Sequence, residues 1–141
     1  MSQAILTRVS PRRSRRLVAG NALLVTILLL HALDHALRQE AAVPGAVSAV
    51  GGAGLLFSLA ALGLAAAAHR LDAAASVVVG FGTAVGFLAV HVAPDWGPFS
   101  QSYSDIPVDD LSWVAMFTPI LAGLALGALG LLHRRGAGRF G

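Results

Sequence analysis

Residues 45–68 contain no ionisable side chain, and no other feature restricts the fold as much. Three further blocks share this character. Residues 17–37, 73–93 and 111–132 are each just over twenty residues long and strongly apolar, and the last two hold at most one ionisable group each, at an end. At about 1.5 Å rise per residue, about 20 helical residues cross a hydrocarbon core of about 30 Å. Strands average only about 5–6 residues, so blocks of this length read as helices. A bilayer offers no water to the backbone, and helices satisfy their own N–H and C=O groups. The expectation is an all-α, four-helix transmembrane bundle forming one domain, residues 1–141, with a basic tail at 1–16 and a loop at 94–110.

Punctuation supports these boundaries. Pro44-Gly45 opens the second helix, where a missing N–H costs little. The short His69–Asp72 connection makes helices two and three an antiparallel hairpin, and Asp72 is placed to cap helix three. Asp109 and Asp110 suit the positive end of helix four. Pro119 falls inside that helix and predicts a kink. A basic start followed by Leu17–Leu30 also fits a cleaved signal peptide, but no small-residue cleavage site follows and three more spans do. The reading is therefore an uncleaved first span.

Charge sets the orientation. The chain holds ten basic side chains and seven acidic ones, and only 12% of its residues are charged. All ten basic residues are arginine. Arg8, Arg12, Arg13, Arg15, Arg16, Arg70, Arg134, Arg135 and Arg139 fall on one side of the four spans, and Arg38 alone falls on the other. The positive-inside rule then places both termini in the cytoplasm. Six acids, Asp34, Glu40, Asp95, Asp105, Asp109 and Asp110, gather toward the outside. Trp96, Tyr103 and Trp113 at that end read as an interfacial aromatic belt. The lysine-free, alanine-rich composition matches a high-GC bacterium, which makes a bacterial plasma membrane the expected location. No nucleic-acid-binding pattern accompanies the arginines. There is no cysteine, which excludes disulfides and thiolate metal sites. No recognisable catalytic motif is present, so the chain leans away from being an enzyme.

Lipid tails are as apolar as leucine, so helices in a bilayer associate by close backbone approach and hydrogen bonds. Gly51, Gly52 and Gly54, the Gly82/Gly86 pair and the Gly123/Gly127 pair provide small-residue faces. They suit packing within the bundle, a homo-oligomer, or a larger membrane complex in which this chain is a structural or accessory subunit.

The chemistry gathers on two helices. His31, Asp34, His35 and Arg38 form one stripe on the outer half of helix one, at about 100° per residue. Helix three ends in His91 at similar depth, followed by Asp95. Ionisable groups within a span face a bundle interior or a wet cavity. Histidines four apart direct two imidazoles at one point, and His91 adds a third. His31, His35 and His91 are candidate ligands for a divalent transition metal such as Zn or Cu(II), with Asp34 and Asp95 as ligands or supporting groups. Three other readings stand beside this one. The cluster is a structural clasp, in which Asp34 pairs with Arg38; a bis-histidine haem b site formed by His31 or His35 with His91; or a quinone or proton-relay site using His31, Asp34 and His91. The loop at 94–110 is long enough to be a lid, and equally reads as a solvated turn anchored in headgroups.

His31-x-x-Asp34-His35 in the first span, together with His91-x-x-Pro94-x-Trp96-Gly97-x-x-Ser100-x-Ser102-Tyr103 after the third, resembles small four-span membrane proteins of high-GC Gram-positive bacteria. The resemblance covers about half the chain and implies a fold and a location, with no activity attached.

Overall fold

The computed structural model describes residues 11–137 and the side chains of residues 15–135. Most of the expected basic tail, and Arg139, lie outside the described residues. The chain forms α1 (Pro11–Arg38), α2 (Gly45–Ala66), α3 (Asp72–Phe87) and α4 (Asp110–Ala137). A π turn, Leu88–Val92, continues α3. Four helical stretches, Arg15–Arg38, Gly45–Ala66, Asp72–Val92 and Asp110–Arg135, are long and apolar enough to cross a membrane. All four expected spans are thus present as helices, and α4 extends past the expected boundary.

Each helix packs on its two chain neighbours, and α4 returns to α1, which leaves α1 and α3 facing diagonally. Leu17 of α1, Ala65 of α2 and Ala73 of α3 meet at one end of the bundle. Ala84, Met116, Ile120 and the loop residue Tyr103 form the core at the other end, here called the loop end. Asn21 ties the diagonal pair together by donating to Ser76 Oγ at 2.8 Å. Such interhelical bonds contribute about 0.6 kcal/mol on average in membrane bundles.

Glycine packing differs from the expected stripe on α3. A Cβ added at Gly80 would lie 2.4 Å from Gly127 N and 2.6 Å from Gly123 O, so the α3 and α4 backbones touch there. Gly82 and Gly86 have nothing within 4 Å of an added Cβ, and the same holds for Gly51, Gly52 and Gly54 of α2. The packing stripe on α3 is Ala73, Ser76, Gly80 and Ala84, all buried. Gly123 and Gly127 do pack as their spacing implied.

The helix ends also show small differences. Leu71, not Asp72, is the N-cap of α3. Asp72 is its first residue, and its carboxylate accepts the Ala73 N–H at 2.5 Å. Asp109 caps α4 by accepting the Ser112 N–H at 2.9 Å. Pro119 is buried within α4, which runs through it without interruption.

Candidate metal centre

His31 and His35 project from the last two turns of α1, and His91 comes from the π turn that ends α3. That turn is closed by the Ala93 N–H donating to Leu88 O at 2.9 Å, one residue further back than in an α-helix. Pro94 ends the helix, and the last carbonyls find partners in the loop. Gln101 N–H donates to Val90 O at 2.8 Å, and Tyr103 N–H donates to His91 O at 2.9 Å. The loop is thereby sewn onto the end of α3 directly over the histidines, satisfying carbonyls that a helix end otherwise leaves open.

One ring nitrogen from each of His31, His35 and His91 lies within 4.8 Å of the other two. The ring centroids are 4.6 Å apart for His31–His35, 5.3 Å for His31–His91 and 5.5 Å for His35–His91. His31 and His91 are buried, and His35 is half-buried. His91 Nδ1 stands 3.1 Å from Gln101 O, which accepts its proton and leaves Nε2 with a free lone pair. The Nδ1 atoms of His31 and His35 are buried without a hydrogen-bond partner. Metal–nitrogen bonds of about 2.0–2.1 Å in a tetrahedral site place ligand nitrogens about 3.4 Å apart. The widest pair therefore needs to close by at most about 1.4 Å, within reach of side-chain rotation.

The two carboxylates are not part of the converging set. Asp34 is buried and fully engaged: its Oδ1 takes Arg38 Nε at 3.0 Å and Ser112 Oγ at 3.2 Å, and its Oδ2 takes Gln39 Nε2 at 3.3 Å. Arg38 also pairs with Asp109, so the lone arginine at this end is shared between two acids. The expected Asp34–Arg38 pair is present, extended to a third partner. Asp95 is exposed and turned into its own loop, accepting the Gly97 N–H at 3.0 Å and the Ser100 hydroxyl at 2.5 Å. Those two bonds hold its carboxyl below the usual carboxylate range. Asp109 is likewise held low by the Ser112 N–H and by Arg38.

Comparisons with protein-family models, with curated proteins and with solved structures gave no match to this chain.

Tyr103 is the functional-looking residue that sequence reasoning misplaced. It was expected in an interfacial belt, yet it is 1% exposed. Its ring packs on His91 and Trp113, with centroids 4.9 Å and 5.5 Å away. Its hydroxyl accepts Gln39 Nε2–H at 2.7 Å and stands 3.4 Å from His35 Nε2. Burial pushes the hydroxyl up to about 12, against an ordinary value of 10.0. Ser100, Gln101 and Ser102 are buried with it, so this part of the loop is a stopper and not a solvated turn. Trp96 and Phe99, by contrast, are exposed and stacked on each other, as interfacial aromatics would be.

A bis-histidine haem requires its two imidazoles to be separated by the macrocycle. At their observed spacing these three rings pack against one another, with no gap of a macrocycle's width between any two.

Beneath the histidines lies an open-sided cavity of about 810 Å³ between α1, α2 and α3, with all three imidazoles in its wall and Val50, Phe57 and Val78 exposed along its open side. The rest of the lining is apolar side chains and glycine, apart from Ser48 and Thr83.

Proposed function

We propose that this chain is a multi-pass protein of a bacterial plasma membrane, with both termini cytoplasmic, that holds a divalent transition metal through His31, His35 and His91. The arginine distribution supports the orientation. One observation carries the metal reading: three imidazole nitrogens converge from two helices within 4.8 Å, while two ring nitrogens of the same set have no protein partner. A histidine kept only to clasp helices would use those nitrogens, since a buried polar atom left unpaired costs about 1–3 kcal/mol. The ion-pair clasp at this end is built from Asp34, Arg38, Asp109, Ser112 and Gln39, and each histidine adds one contact of its own: His31 to the Ala115 backbone, His35 to the Tyr103 hydroxyl and His91 to Gln101 O.

Three neutral imidazoles without thiolate suit Zn(II), Cu(II), Ni(II) or Fe(II). Three protein ligands leave a fourth position for water or substrate, as in catalytic zinc sites. Gln101 fixes the tautomer of His91 through its other nitrogen, a common supporting contact in metal sites. Asp34 lies close enough to His35 to act on it electrostatically and supplies negative charge beside the ion.

Metal analysis of detergent-purified protein tests this. The expected result is about one equivalent of transition metal per chain, lost in His31→Ala and His91→Ala. Equal metal content in the parent and both variants would overturn the proposal and return the cluster to a structural role.

A further inference from the structure

The cavity is far larger than an ion and its coordinated water require. It lies at the depth of the spans, from the histidines down to Phe57, Val78 and Val79. Val78 and His91 are thirteen residues apart on α3, so the cavity extends about 20 Å along the helices. Its character is lopsided. The three imidazoles occupy the loop end, and the remainder is nearly all apolar. Gly54 and Gly82 lie in this lower part, and a Cβ at either would meet nothing within 4 Å. Both are exposed glycines that line the space from α2 and α3. The loop end is closed to water by Gln101 and Tyr103, both buried and both bonded to the segment carrying His91. The way in is therefore sideways between helices, from the hydrocarbon.

We infer that the cavity is the binding site of a lipid-soluble molecule with an elongated apolar body and a single oxygen or nitrogen donor at its head, which takes the fourth position on the metal. This rests on the metal reading of the three histidines. An apolar cavity alone would accept any acyl chain. The three imidazoles are the polar groups at one end of the space, and that favours a molecule with one polar head.

The test uses the full chain in detergent, loaded with Co(II), whose visible spectrum reports a new ligand at the open position. The probes are N-decylimidazole and N-methylimidazole, which share a head and differ in the tail. Gly54→Leu and Gly82→Leu fill the lower cavity from two different helices. The expected result is that both variants bind Co(II) and N-methylimidazole as the parent does. N-decylimidazole is expected to bind each of them about 5- to 150-fold more weakly than it binds the parent, as overpacking of about 1–3 kcal/mol implies. Comparing each probe between proteins in the same micelle cancels its partitioning into detergent. Equal N-decylimidazole affinity in the parent and both variants, with Co(II) bound, overturns this inference and leaves the metal reading standing. A parent that takes up no Co(II) overturns both. A parent that is dimeric by light scattering, and is made monomeric by either leucine, assigns the cavity to a second copy and also overturns the inference.

Discussion

Gly80→Ala adds one methyl group where two helices have their backbones in contact. The new Cβ would sit 2.4 Å from Gly127 N, whereas ordinary contact begins at 3.4 Å. The atoms in the way are backbone, on a helix that cannot rotate aside as a side chain can. The α3–α4 interface must therefore open by about 1 Å, and a gap of about 0.5–1 Å already forfeits a quarter to a half of each van der Waals contact. Overpacking of this kind costs about 1–3 kcal/mol, or roughly a 5- to 150-fold shift in the folded-to-unfolded ratio. Gly82→Ala is the matched control. It lies two residues along the same helix, meets nothing within 4 Å, and gains helix propensity of about 1 kcal/mol. Reversible unfolding in mixed micelles with increasing dodecyl sulfate, followed by circular dichroism, measures both. Gly80→Ala should unfold well before the parent, and Gly82→Ala at or after it. Equal midpoints for the two variants would refute the backbone contact and the helix rotation on which it depends.

Two further outcomes follow from the loop end. Tyr103 is the only tyrosine in the chain, so ultraviolet titration reads it alone. Phenolate should form near pH 12 and not near 10, and stability that is intact below pH 10 should fall as pH rises from 10 toward 12, because the hydroxyl ionises more readily in the unfolded chain. Ionisation near 10 would show that Tyr103 is in contact with water. Asp34→Asn keeps the shape but removes the charge shared with Arg38. It should lower the unfolding midpoint by an amount equivalent to about 1–3 kcal/mol, less than the 3–5 of a fully buried pair, because Arg38 is 38% exposed and retains Asp109. An unchanged midpoint would rule out the ion pair as a clasp.

The helices and the triad of histidines were legible in the sequence for simple reasons. Apolar runs longer than twenty residues have few alternatives, and residues 31 and 35 share a helix face by arithmetic. What the sequence concealed depended on contacts between segments distant in the chain. Tyr103 sits in a stretch of serines, glutamine and aspartate that reads as solvated. Only the bonds from Gln101 and Tyr103 back to Val90 and His91 draw it inside. Gln39 lies beyond the last turn of α1 and carries no pattern, yet it connects Asp34 to Tyr103. The glycines of α3 misled in another way. Gly82 and Gly86 have the familiar spacing, but Gly80 and Ala84 have it too, and only the rotation of α3 decides which pair meets α4.

The turn that carries His91 closes with an i→i−5 bond and so contains one residue more than the α-helix before it. Residues beyond it are set back by about 100° around the helix axis relative to an uninterrupted α-helix of the same sequence. Regular α winding through 88–92 with every residue kept would leave the span long enough for a membrane and would turn its end, and the imidazole it carries, by up to about 100° away from α1. The cluster is therefore phased by one extra residue in this turn: a chain one codon shorter ahead of His91 would wind regularly and still face the imidazole toward α1, whereas regular winding at the present length would not.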